Sequence, residues 1–97
     1  MNFAKKIVLH CPNGVPSNMG EVAEQFVANG VKFVGAVGPA CEEVENIVDE
    51  VSVAAGSPER NFILTSSHPK ESLQDAIEFA ECLGGEYEGS VQVLELL

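Results

Sequence analysis

The side chains of this sequence most able to do chemistry are two histidines and three cysteines. His10 and Cys11 close the apolar run KIVLH, and Asn13 follows them in CPNG. Cys41 comes three residues after Gly38, in GPACEE. His68 follows Thr65, Ser66 and Ser67 in TSSHPKE, with Glu71 three residues further on. A thiolate is a nucleophile and a metal ligand, and a neutral imidazole is a base or a ligand. Cys11, ahead of a Pro/Gly loop, is placed to be a nucleophile cradled by loop amides, or simply a small residue at a strand end. Cys41 falls in the first turn of a helix, where amides favour a thiolate but Glu42 and Glu43 oppose one. Its place on that helix's apolar stripe fits an ordinary buried thiol. Cys82 reads as a half-exposed bystander. His68 stands at a helix start, as cap or as base. Two Cys and two His are enough for zinc in number, but their spacing matches no ligand pattern, so no metal or cofactor is assigned.

Other chemistries are absent by motif. Ser66-Ser67 lacks the G-x-S-x-G turn of hydrolases. No G-x-G-x-x-G and no G-x-x-x-x-G-K-[ST] occurs, which argues against dinucleotide and nucleoside triphosphate sites. The acids of the second helix form a solvated face.

These residues are placed by strands and helices that alternate. Lys6–His10 reads as a buried strand. Ser17 or Asn18 caps a helix, Asn18 pairing with Glu21 as in a capping box, and Met19, Val22, Ala23, Phe26 and Val27 form its stripe up to Asn29-Gly30. Val31–Val37 is a second strand. Gly38 as N-cap and Pro39 as first residue open a helix with Cys41, Val44, Ile47, Val48, Val51 and Ala55 on one side, ended by Gly56, Ser57 and Pro58. Asn61–Ser66 is a third strand. His68 as cap, Pro69 and Glu71 then open a helix whose stripe is Leu73, Ala76, Ile77, Ala80 and Leu83. Ser90–Leu97 is a last strand, on an edge because Gln92 and Glu95 interrupt it.

The order βαβαβαβ predicts a three-layer α/β/α sandwich, Rossmann-like or flavodoxin-like, with a four-stranded, mostly parallel sheet. Two strand orders fit, 2-1-3-4 and 3-2-1-4, the first being preferred. With 97 residues the chain is one domain spanning residues 1–97. His10, Cys11, Asn13, Cys41, Ser67, His68 and Glu71 then gather at the carboxyl ends of the strands, where open α/β sheets bind ligands.

Charge narrows the partners. Fifteen acidic side chains against five basic ones give a net charge of −10. Nucleic acid and anionic membranes are excluded as partners, because phosphates need clustered Lys and Arg. Lys5, Lys6, Lys32 and Arg60 all stand at strand starts, opposite the helices' negative ends, which leaves only Lys70 as a cation on the ligand edge. An odd number of cysteines without C-x-x-C reads as reduced thiols in the cytoplasm. The run MNFAKKIVLHCPNG is expected to be neither a signal peptide nor a membrane span.

Two stretches resemble known families. From Phe26 onward, GVKFVGAVGPACEEVENIVDE and NFILTSSHPKESLQDAIEFA resemble a family of small uncharacterised bacterial proteins of unknown function, which implies that Cys41, His68, Glu71 and Leu73 are its marked positions. Locally, IVLHCPNGVPSNM is similar to the first strand and phosphate loop of sugar-phosphotransferase IIB domains. That resemblance implies a phosphoryl group on Cys11, cradled by the amides of Gly14 to Met19. The expectation is a cytoplasmic, non-enzymatic binding or regulatory domain, with another protein as the partner considered. The alternatives are a phosphocarrier or thiol enzyme using Cys11 and, last, metal binding by Cys11, Cys41 and His68.

Overall fold

Residues 3–55 and 63–96 are described in a computed structural model. Strands and helices alternate as the sequence predicts: β1 (Lys6–His10), α1 (Met19–Ala28), β2 (Phe33–Val37), α2 (Cys41–Ala55), β3 (Leu64–His68), α3 (Leu73–Glu81) and β4 (Val91–Glu95), with a short 3₁₀ turn at Gly85–Tyr87 before β4. All pairings are parallel.

The strand order is β3-β2-β1-β4, so the preferred order 2-1-3-4 is wrong and its alternative holds. The reason lies in the helices. α1 and α2 pack on each other and share one apolar cluster containing Met19, Ala23, Phe26, Cys41, Val44 and Val48. Right-handed crossovers on the same face must step across the sheet in the same direction, which sets β1, β2 and β3 in line. α3 lies alone on the other face, over β1, β2 and β4, with Ala76 and Ala80 against Val8, Phe33 and Val37. β4 is an edge strand, as its polar residues predict.

Local signals act at three helix ends. At the C-terminus of α1, Gly30 takes φ +73°. Its amide bonds Val27, and the Val31 amide bonds Phe26, completing a Schellman end. The expected capping box of Asn18 with Glu21 does not form; Asn18 lacks the extended backbone that would aim its side chain at the first turn, and makes no capping bond. α3 starts later than expected. Its cap is Ser72, which accepts from the Asp75 amide while Asp75 accepts from the Ser72 amide. His68 is therefore not a cap but the last residue of β3, held there by pairing with Val37. Arg60 and the ends assigned to the second helix and third strand at 56–62 fall outside the described residues.

The lysine at the start of β1 does what the charge layout predicts. Lys6 is 1% exposed, and its Nζ donates to the carbonyls of Ala80 (2.7 Å) and Leu83 (3.1 Å) at the C-terminal end of α3. The cation meets the negative end of the helix there, the Ala80 carbonyl also accepting from the Leu83 amide at 3.2 Å.

Candidate functional site

Side chains alternate between the two faces of a strand, so register decides which residues can meet. His10 aligns with Val37, and Val37 with His68. Val37 belongs to the cluster under α3, so both histidines lie on the α3 side of the sheet. Cys11 and Cys41 belong to the opposite cluster, under α1 and α2. The three groups share the carboxyl edge, but the sheet separates the thiols from His68. Whether they converge, left open by the sequence, is decided by register: they lie on opposite faces.

The thiols are also sealed. Cys11 is 0% and Cys41 2% exposed, and only Cys82 is open. Burial pushes the Cys11 thiol up, away from the nucleophilic thiolate. The expected cradle of amides is turned to other uses: the Gly14 amide faces the Cys11 carbonyl at 3.5 Å, and the Met19 amide donates to the Pro16 carbonyl at 3.1 Å. Behind Cys11 the backbone runs tightly against Gly38, whose φ is +134° and where a Cβ would collide with the Cys11 carbonyl. Among the described residues no group of three or more His, Cys, Asp or Glu is disposed to hold a metal ion.

The histidines are each engaged by a carboxylate. His10 Nδ1 lies 2.9 Å from Glu95 Oε2 across the β1–β4 pair. His68 Nδ1 lies 2.9 Å from Glu71 Oε1, and its Nε2 lies 2.8 Å from Ser66 Oγ. A carboxylate only accepts, so Nδ1 carries the proton in both rings when neutral, and Nε2 of His68 accepts from the Ser66 hydroxyl. His68 is buried, with the Phe79 ring edge-on at 5.3 Å. Ser66 is the residue that the sequence names on this edge but sets aside for want of a hydrolase turn. Ending the third strand at Ser66 hid the alternation that puts Ser66 and His68 on one face. Ser67, aligned with Ala36, faces the other way, and Asn13 is exposed.

A second feature lies on the α1 side. There the sheet is covered by two helices over four strands, and β4 is left open beside α1. The resulting groove of about 300 Å³ is lined by Phe3, Asn18, Val22, Gln25, Leu94 and Leu96. Val22 and Leu94 give it an apolar floor, and the exposed Glu21 stands next to Asn18 and Gln25 on the helical surface of α1. No helix among the described residues is long and apolar enough to cross a membrane.

No curated protein and no solved structure matches the chain. The similarity of the Cys11 loop to sugar-phosphotransferase IIB domains finds no support in these comparisons, and a sealed thiol removes its chemical basis. The wider resemblance is upheld over nearly the whole length: residues 1–94 match a domain of unknown function (DUF7684), and the chain belongs to that family.

Proposed function

We propose that the domain works by binding a protein partner through the groove between α1 and β4, and not by thiol chemistry. The carrying observation is the groove of about 300 Å³ lined by Phe3, Val22, Leu94 and Leu96, on a sheet face that α1 and α2 otherwise cover. The occupant that fits is an amphipathic helix from a partner. Laid beside α1, it would complete that layer and bury Leu94 and Leu96 in the helix-in-groove manner. Charge specifies its outer face. A domain of net charge −10, with Glu21 and Glu24 exposed on α1, attracts Lys and Arg and repels a second copy of itself. Three free thiols support a cytoplasmic location, where cysteines stay reduced.

Selection of helices from a displayed amphipathic library against the purified domain tests this. The helices recovered are expected to carry apolar residues three and four apart with basic residues outside. They should lose at least tenfold in affinity for Leu94→Glu. Recovery of no helix, or of helices that bind the variant equally well, would overturn the reading.

A further inference from the structure

Ser66, His68 and Glu71 form a linear relay that the binding groove does not use and that lies on the other face of the sheet. The distances are 2.8 Å from Ser66 Oγ to His68 Nε2 and 2.9 Å from His68 Nδ1 to Glu71 Oε1. The order hydroxyl, imidazole, carboxylate is that of an activated serine nucleophile with its base and orienting group. We propose that Ser66 is a nucleophile for uncharged esters with small apolar acyl groups.

Four features carry this. First, β3 fixes the hydroxyl and the base on rigid backbone, two residues apart on one face, while the turn before Ser72 returns Glu71 to the ring. Second, the base is buried and the nucleophile is not: His68 is 4% exposed, whereas Ser66 is half-buried on an edge strand away from the main contacts of α3. Third, Gly35, having no side chain, lets the Ser66 hydroxyl and the Phe33 ring lie close over the sheet. A Cβ there would lie 3.3 Å from Ser66 Oγ and 3.1 Å from the Phe33 ring. Fourth, an apolar wall is present. Leu64 is half-buried on the same face, and Phe79, which packs on both His68 and Phe33, is 44% exposed. The many surface carboxylates disfavour anionic substrates.

In the step proposed, Ser66 Oγ attacks the ester carbonyl carbon and its proton passes to His68 Nε2. The tetrahedral adduct collapses, the carbon–oxygen bond to the alcohol breaks, and the alcohol leaves with the proton from Nε2. Water, giving its proton to the same nitrogen, then releases the acid and restores the hydroxyl. The Leu64 amide donates to the Lys32 carbonyl, so the alternate amide of Ser67 turns away from β2 to the open edge. It is a donor beside the nucleophile for the developing oxyanion.

A fluorophosphonate probe tests the nucleophile directly, since the hydroxyl displaces fluoride at phosphorus and leaves a stable adduct. Intact-mass analysis with peptide mapping of the whole chain is expected to find one adduct, on Ser66. Ser66→Ala should take none, and His68→Gln should label about 100-fold more slowly. Glu71 is a positioning residue: Glu71→Gln should slow labelling about tenfold while Glu71→Asp restores part of it, a pattern that loss of fold would not give. Val53→Ser, exposed on α2 and in neither the groove nor the relay, should label like the unaltered chain. An unlabelled chain at millimolar probe, or an adduct on any other residue, overturns the proposal. So does equal labelling of His68→Gln, whose fold is checked by circular dichroism.

Discussion

The Lys6 ammonium lies 2.7 Å from the Ala80 carbonyl, with the lysine side chain sealed beneath the end of α3. That contact joins the first strand to the last turn of the third helix, 74 residues apart. It couples the α3 layer to the centre of the sheet.

Lys6→Met keeps the length and apolar stem of the side chain but removes the donor. The Leu83 carbonyl then loses its charged partner, while the Ala80 carbonyl keeps the Leu83 amide. An unsatisfied buried polar group costs about 1–3 kcal/mol, so the substitution should destabilise by roughly that amount. Urea unfolding at neutral pH measures it. A loss below about 1 kcal/mol would show that water replaces the ammonium.

The two well-defined helix caps should behave differently although both residues are good caps by type. Ser72 accepts from the Asp75 amide at 3.1 Å, whereas Asn18 makes no side-chain capping bond. Ser72→Ala should cost about 1 kcal/mol and Asn18→Ala only a few tenths. Thermal unfolding of both variants decides the matter, and equal losses would contradict the assigned geometry.

The same pair of caps shows how much the sequence could reveal. Element order was legible because apolar periodicity, glycines and prolines separate the elements, and α1 begins and ends where Asn18 and Asn29-Gly30 place it. The later part was harder. Pro69 and Glu71 imitate a helix start, but Ser72 and Asp75 form the real one, since only there do both side chains reach backbone amides. Moving the helix start lets β3 run on to His68. That is what places Ser66 beside the imidazole and puts the sheet between the imidazole and the thiols. Cys11 and Cys41 each admit a reactive and a structural reading by position; the face of Cys11 is fixed only by register of β1 against β2, a long-range pairing that local pattern does not contain, and that of Cys41 by the packing of α2. Strand order likewise depended on which helices share a face, and the apolar stripes of α1 and α2 do not announce their partner.

Among the described residues, Gly38 should be the least replaceable glycine. Its φ of +134° is unfavourable for any side chain, and an added Cβ would meet the Cys11 carbonyl backbone. Gly14 also has a positive φ, +99°, but nothing lies within 4 Å of an added Cβ. Gly38→Ala combines strain with a backbone clash and should cost roughly 3 kcal/mol or more, against about 1 kcal/mol for Gly14→Ala. Comparison of the two by urea unfolding isolates the clash, because both variants carry the strain. Similar losses would mean that the β1 end yields to admit the methyl.

Cys11 should reveal itself as a structural thiol through the pH dependence of stability. Burial raises its folded pKa, so above the unfolded value of about 8.5 the unfolded chain releases a proton that the folded chain keeps. The unfolded state then binds fewer protons, and stability falls as pH rises. The contribution of the buried thiol is complete well below the unfolded pKa and declines as pH rises past it. Cys11→Ala loses packing at all pH values, about 1–2 kcal/mol, but lacks this titration. Under reducing conditions, the gap in unfolding free energy between the unaltered chain and the variant should therefore narrow from pH 7 to 9.5. A gap that stays constant, or widens, would mean that Cys11 ionises in the folded protein as easily as in water, and thiol chemistry would return to consideration.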